Sequence, residues 1–589
     1  MGHRYFSNTL SRTIWESKYR LHGEASITQT WQRVARVLAA VEKLPKVWEQ
    51  QFYEVMEDFR FIPGGRILAG AGSPHKVTLF NCFVMGEIQD SLDGIFLALR
   101  ESAMTLQQGG GVGLDFSSLR PKGQPARSVG SIASGPVSFM HIWDSMCATL
   151  LSTGARRGAM MATLRCDHPD IEAFIEAKQE PGKLRHFNLS VLVTDEFMQA
   201  VSEDIEWELV FPARASGEQE GGNKVIHTIR ARALWNKIMR ANYSYAEPGV
   251  LFIDRINQFN NLSYCEHISA TNPCGEIPLP PYGACNLGAI NLVKFINAEF
   301  TDHASIDMQA IIETVRVAVR LLDNVIDVSD FPLPQLKEMA ECSRRVGLGI
   351  TGLGDALIML GLDYAEPEAC DQAAMIMETI CNTAYETSVE LALEKGNFPA
   401  FNARAYTSTP FIRSLPEDIR FAIKQGGVRN SHLLAIAPTG TISLLANNVS
   451  SGLEPVFDAS YTRKVRNEWG SVEEFEEDAY SLRRWRKLYP HPVSHLPPAF
   501  TTATGILPQQ HLAMQAAVQP YVDNAISKTI NISPQTSFVR FSNIYTQAYE
   551  SGLKGCTTFR PNPVTGSVME QHHFPETYSV CCGLDQEPD

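Results

Sequence analysis

Between residues 270 and 288 the chain carries Pro273, Pro278, Pro280 and Pro281 among Gly275, Gly283 and Gly288. No long helix and no central strand passes through such a stretch, because proline lacks the ladder donor and glycine is costly to order. An ordered loop is therefore required, and it presents Asn272-Pro273-Cys274-Gly275-Glu276. In extended chain, side chains two apart point the same way, so an amide, a thiol and a carboxyl can converge on one substrate. A lone cysteine is more often a small buried hydrophobe. The company of Asn272 and Glu276, and of Cys285 eleven residues on, argues for chemistry.

Composition sets the surroundings of that loop. With 589 residues, 44% hydrophobic and 20% charged, the chain can bury an extensive core, although its length does not fix the number of domains. A net charge of −14 opposes general polyanion binding, so neither DNA nor RNA is expected as a partner. There is no apolar N-terminal signal, and the apolar stretch 143–164 is broken by Arg156 and Arg157. A soluble, cytoplasmic enzyme with no membrane partner is expected. The 12 cysteines then read as reduced thiols rather than a disulfide scaffold. None lies in a zinc-like Cys/His spacing, so no metal held by protein side chains is expected.

The order of elements reads as α/β. Ser26 precedes an apolar stripe of Trp31, Val34, Ala35, Leu38 and Val41 at helical spacing. Beyond it, strand-like runs at 77–83, 190–193 and 433–437 alternate with helical stretches at 308–328 and 371–395. Three regions are expected: a helical segment over 1–60, a catalytic α/β unit over 61–568, and a flexible tail over 569–589 that carries Cys581-Cys582.

Other local patterns bear on chemistry. Ala437-Pro438-Thr439-Gly440-Thr441-Ile442-Ser443 follows an apolar run and combines glycine with hydroxyls, which suits an anion nest without lysine. Gly109-Gly110-Gly111-Val112-Gly113 allows close approach of backbone to a ligand. Gly347-Leu348-Gly349-Ile350-Thr351-Gly352 fits the dinucleotide fingerprint, with Glu366 and Glu368 near the expected offset, but the stretch 341–346 before it is no buried strand. A nicotinamide-dependent oxidoreductase is thus the weaker alternative, and a silent nucleotide-binding subunit would have no use for the cysteines.

The string NPCGE followed by PYGACNLGAINL closely resembles the active-site loop of ribonucleotide reductases, and the NPCGE form resembles their adenosylcobalamin-dependent class II. That resemblance runs from about Tyr5 to the tail. It implies a ten-stranded α/β barrel of two antiparallel five-stranded halves with Cys274 on a central finger loop. It further implies that Cys274 becomes a thiyl radical, that Glu276 is a general base with Asn272 fixing the same hydroxyl, and that Cys82 and Cys285 form a redox disulfide. Such a pair must be held with Cα atoms within about 7 Å. Substrate contacts are implied for Arg66, Asn81, Gly110, Asn272, Pro273, Cys274, Gly275 and Glu276. The diphosphate is expected on Pro438, Thr439, Gly440, Thr441 and Ile442.

The same resemblance assigns a dNTP effector to Asp90, Ser91 and Leu92 and a relay loop to Arg156 and Arg157; Ser118 departs from relatives that have a basic residue there. Nothing before the opening helix resembles an ATP-cone, so overall activity control is not expected. Gly555-Cys556-Thr557-Thr558-Phe559-Arg560 stands where class I subunits have adjacent tyrosines, and no RVCGY-like glycyl-radical segment occurs. Adenosylcobalamin is therefore the implied radical source, without a DxHxxG histidine to replace the cofactor's base. Further expectations are a ribonucleotide substrate, most simply a diphosphate, a homodimer, and a thioredoxin-like reductant acting through Cys581 and Cys582.

Overall fold

The computed structural model describes residues 4–126, 131–150, 158–180, 182–212, 223–466, 472–490, 496, 499–560, 569–571 and 579–580. The opening segment is helical as expected, with helices Thr9–Ile14, Ile27–Ala39 and Pro45–Met56. In the second of these, Trp31, Val34, Ala35 and Leu38 are buried. The helix ends before Val41, which is left 44% exposed, and Ser26 occupies the N-cap position without a side-chain capping bond. Glu42, just beyond, anchors this segment to the rest of the molecule. Its buried carboxylate accepts hydrogen bonds from Arg320 at 2.9 Å, Asn324 at 2.9 Å and Lys395 at 2.7 Å. Removing one member of such a buried set leaves uncompensated charge at a cost of about 3–5 kcal/mol.

Five parallel strands lie side by side: Cys82–Val84, Gly111–Asp115, Met160–Arg165, Phe187–Val193 and Gly249–Phe252. Ala284–Asn291 runs antiparallel to the first and Gly555–Phe559 antiparallel to the last. Val346–Thr351 lies parallel to Ala284–Asn291, and Thr529–Asn531 parallel to Gly555–Phe559. These regular strands alone leave the circuit open. Single parallel bridges, Leu348 with Leu434 and Ile436 with Ile526, carry it across, and Ile526 lies just before Thr529–Asn531. Two antiparallel halves result, the α/β barrel arrangement expected. Phe61–Pro63 adds an antiparallel edge outside it.

Wall residues alternate between two cores, as the twofold period of a strand requires. Phe83 packs outward with the main core of wall and helices. Cys82 and Val84 instead face an interior cluster with Cys285, Leu287 and Ala435. That cluster also contains Ala270, Ile277 and Leu279, so the proline-rich loop is a finger running inside the barrel. Its stem is the short antiparallel pair Ala270–Thr271 with Pro278–Leu279.

The glycine-rich strands make room for it. A Cβ on Gly113 would fall 1.9 Å from the Thr271 carbonyl oxygen, and one on Gly347 would fall 3.2 Å from Ile277 Cδ1 and 2.6 Å from Leu287. The dinucleotide reading fails for the same reason. Gly347 and Gly349 lie within the buried strand Val346–Thr351, not at a strand-to-helix turn.

Part of the expected flexible tail is paired. Met569–Gln571 adds antiparallel to 461–463 at the edge of the hairpin Ser460–Arg466 and Val472–Asp478, and Ser579–Val580 adds to Met569–Gln571. An open strand edge offers unpaired backbone groups that a following segment can satisfy. Cys581 and Cys582 lie outside the described residues, as do Arg156 and Arg157. Among the described residues no helix is long and apolar enough to cross a membrane.

Candidate active site

The finger tip is built by Asn272. Its Oδ1 accepts the Ile277 N–H at 3.0 Å and its carbonyl accepts the Gly275 N–H at 3.1 Å, which folds the NPCGE turn on itself. Gly275 takes φ +85°, where a Cβ-bearing residue is strained. From outside the turn, Asn188 Nδ2 donates to the Pro273 carbonyl at 2.9 Å and the Ala525 N–H donates to the Glu276 carbonyl at 2.9 Å. Both halves of the barrel thus grip the tip.

At its centre, Asn272 Nδ2 donates to Glu276 Oε1 at 2.7 Å and to Cys82 Sγ at 3.2 Å, while the Cys82 thiol donates to Glu276 Oε1 at 3.7 Å. Glu276 is buried, and its other oxygen, Oε2, has no partner among the described residues. Burial pushes its carboxyl up to about 7, against the opposing hydrogen bonds from Asn272 and Cys82. Burial, then the neighbouring Glu276 charge, holds the Cys82 thiol well above its ordinary value, and burial raises Cys285 likewise. Both rest as neutral thiols. Cys274 differs in being half-buried at the tip.

Strand register decides the pairing of the two interior thiols. Cys82 is directly opposite Cys285 on antiparallel strands. Directly opposed residues have Cα atoms about 4.5–5.5 Å apart, inside the window a disulfide needs.

A cavity at Glu276 reaches the hydroxyl-rich loop. Asn81, Glu276, Pro438, Thr439 and Ile442 line it, together with Gly64, Gly65, Leu287 to Ala289, Gly349 and Ile350. Asn81 Oδ1 is buried without a partner there, like Glu276 Oε2. Two orphaned acceptors in one cavity call for a donor-bearing ligand such as a hydroxyl. Thr439 precedes the short helix Gly440–Leu445 and is held by Thr351 at 2.7 Å and by the Gly452 N–H at 2.9 Å. Gly64-Gly65 went unread in the sequence, although a glycine pair just before Arg66 was a signal for close approach.

The remaining expected residues are placed less directly. The Arg66 guanidinium packs against Gly109, where a Cβ would fall 2.1 Å from it, and a Cβ on Gly110 would strike the Phe83 ring at 2.5 Å. The close approaches shown by these glycines are thus to protein. Asp90 accepts from Arg120 Nε at 2.9 Å and from its N–H at 3.2 Å. Ser91 caps helix Leu92–Gln107 through the Gly94 N–H at 3.1 Å. Leu92 is 63% exposed.

The chain matches two family descriptions. Residues 5–76 match "Ribonucleotide reductase, all-alpha domain" and 80–559 match "Ribonucleotide reductase, barrel domain". It is 37% identical to a protein of Mycobacterium tuberculosis named vitamin B12-dependent ribonucleoside-diphosphate reductase, over 95% of this chain and 80% of that one. A protein of the same name from Thermoplasma acidophilum is 36% identical over 88% of this chain and 66% of its own. A ribonucleoside-diphosphate reductase subunit alpha of Chlamydia muridarum is 26% identical over 92% of this chain and 57% of its own. With a finger-bearing barrel, paired interior thiols and a barrel-domain match over most of its length, the chain belongs to the ribonucleotide reductase family.

Proposed function

We propose that the chain reduces ribonucleotides, as diphosphates, to 2′-deoxyribonucleotides for DNA synthesis, with adenosylcobalamin as its radical source. One observation carries this reading: Glu276, two residues from Cys274 on the finger, meets the Cys82 thiol that is opposed to Cys285, and lines a cavity shared with Thr439. The relatives named as B12-dependent diphosphate reductases support the choice of cofactor and substrate.

The tip fits a bulky group on one side. Cys274 and Gly275 are only partly buried, and a Cβ on Gly275 would meet no atom within 4 Å, so these two residues would face the cofactor. Adenosylcobalamin, when bound, supplies the one-electron chemistry that ordinary side chains lack. The thiyl form of Cys274 removes the 3′-hydrogen of the ribose. Glu276, oriented by Asn272, takes the 3′-hydroxyl proton, and the 2′-hydroxyl leaves as water. Cys82 and Cys285 together give two electrons and two protons and become a disulfide, Glu276 returns its proton and Cys274 returns the hydrogen to C3′, which balances the reduction. Asn81 Oδ1 is an acceptor for a sugar hydroxyl in the same cavity, and the phosphates lie on 438–442.

Reloading would use a thioredoxin-like protein acting through Cys581 and Cys582. Purified chain given CDP should form dCDP on addition of adenosylcobalamin, anaerobically and without a metal-radical subunit. Dependence on an added iron or manganese protein would overturn the reading. In the same assay, replacing Cys581 and Cys582 by serine should stop turnover driven by thioredoxin but not by dithiothreitol. Unchanged thioredoxin-driven turnover would remove the tail from the scheme.

A dNTP effector at Asp90, Ser91 and Leu92, relayed through Arg156 and Arg157, and a cytoplasmic homodimer complete the reading. The exposed row of Leu92, Phe96 and Leu97 on helix Leu92–Gln107 supports the dimer. Sedimentation with and without dTTP tests both; a monomer indifferent to dTTP would exclude them.

A further inference from the structure

Between the finger and the strand of Cys285 the chain turns through Pro280-Pro281-Tyr282-Gly283, closed by the Gly283 N–H donating to the Pro280 carbonyl at 2.9 Å. Tyr282 is the third residue of this turn and has φ +60°. That position with positive φ favours glycine or asparagine, and an aromatic side chain in the left-handed region costs about 1–2 kcal/mol. Strain of this kind persists only where the surroundings hold it.

Two contacts hold it. The ring lies over the backbone at Gly86, where a Cβ would fall 2.3 Å from Tyr282 Cζ. The hydroxyl donates to Glu101 Oε2 at 3.1 Å, and Glu101 is a buried carboxylate on helix Leu92–Gln107. Burial and the Glu101 charge push that hydroxyl up to about 12, so it remains a donor at ordinary pH.

Its place in the register gives the clamp a consequence. The Val84 N–H donates to the Gly283 carbonyl at 3.0 Å, and the next paired residues are Phe83 with Ala284 and Cys82 with Cys285. Only these few residues of ladder join the two strands, and Gly86 continues one while Tyr282 begins the other. A slip of a single residue there would turn Cys285 away from Cys82 to the outer face.

We propose that Tyr282, braced by Gly86 and Glu101, is a positioning residue that fixes the register of the Cys82 and Cys285 strands and so sets the rate at which the two thiols close to a disulfide. The proposal rests on the redox reading of that pair. It explains why a strained tyrosine stands where glycine would be easier.

The test compares Tyr282→Phe, Tyr282→Gly and Glu101→Gln in the full chain with adenosylcobalamin. Two quantities are read in a single turnover without reductant: dCDP formed, and the Cys82–Cys285 disulfide by mass spectrometry of alkylated peptides. Tyr282→Gly relieves the backbone, so a residue needed only for the turn would give unchanged or raised thermal stability and unchanged chemistry. We expect instead that Tyr282→Gly keeps its Tm yet slows disulfide closure at least tenfold, with KM for CDP within twofold of wild type. Tyr282→Phe keeps the ring and should slow closure severalfold, whereas Glu101→Gln, which retains an acceptor, should stay within twofold. Wild-type closure rates in Tyr282→Gly and Tyr282→Phe would overturn the proposal. Absence of the disulfide in wild-type turnover would instead overturn the redox reading beneath it.

Discussion

Replacing Cys274 by serine lowers deoxynucleotide formation by at least about three orders of magnitude, equivalent to roughly 4 kcal/mol in the barrier, and leaves nucleotide binding close to wild type. The asymmetry follows from where the residue sits. Cys274 is half-buried at the finger tip, while the groups that shape the turn are the Asn272 amide, Gly275 and the Ala525 N–H. Serine fills almost the same space, so the fold should lose no more than about 0.5–1 kcal/mol. A hydroxyl O–H bond is too strong to yield the radical that abstracts hydrogen from the sugar. Dinucleotide and silent-subunit readings both anticipate little change. Substantial dCDP formation by this variant, measured by chromatography under the conditions that activate the wild type, ends the thiyl assignment.

Glu276→Gln has the second-largest effect, in opposite directions on rate and stability. Loss of a general base costs about 100- to 10,000-fold, and the amide retains the hydrogen bond with Asn272. Stability moves the other way. A carboxyl raised by burial from 4.5 to about 7 is disfavoured as an anion in the folded state by about 3 kcal/mol at most. The sign follows from proton binding: below pH 4.5 both states are protonated and there is no penalty. Between 4.5 and about 7 the unfolded chain ionises first and the penalty grows, and above about 7 it is complete. Glu276→Gln should therefore be more stable than wild type at pH 8, by about 1–3 kcal/mol, with the gain shrinking toward pH 5. Denaturant melts at the two pH values measure it. The wild-type rate should rise as pH passes through about 7 and Glu276 ionises. A flat rate between pH 6 and 8, or a variant less stable at pH 8, would show that the carboxyl is already ionised at rest.

Much of the site could be read from adjacency alone. NPCGE carries its own turn, because Asn272, Gly275 and the prolines are local conformational devices. The helix Met308–Val328 coincides with its apolar period. Local pattern also placed Ser26 at an N-cap but carried the stripe on to Val41, which the helix does not reach. The glycine runs share an ambiguity: Gly109 to Gly113 and Gly347 to Gly352 both signal close approach, and a sequence does not say to what. In the folded chain the Gly113 and Gly347 positions admit the finger, whose residues lie about 160 positions after the first and about 70 before the second.

Asp90 and Ser91 show a similar limit. An acid and a hydroxyl in a loop invite a ligand, and the folded chain sets Arg120 and the Gly94 N–H beside them, the first a partner thirty residues away that no local pattern names. Residues 569–571 and 579–580 read as tail because nothing nearby supports them; the support comes from the edge of a hairpin about a hundred residues earlier.

Chemistry and placement thus divide along a physical line. Residue types and local backbone preference were enough for a thiol, an amide and a carboxyl on one loop, for alternating helix and strand, and for a hydroxyl-rich turn, since each depends on neighbours a few positions away. Long-range pairing decided the rest. Only antiparallel register sets Cys82 opposite Cys285, only closure of the barrel buries Glu276 enough to lift its carboxyl to about 7, and only long-range packing brings Asn81 and Glu276 into one cavity with Thr439. Burial and register are properties of the whole surround, so no window of sequence contains them.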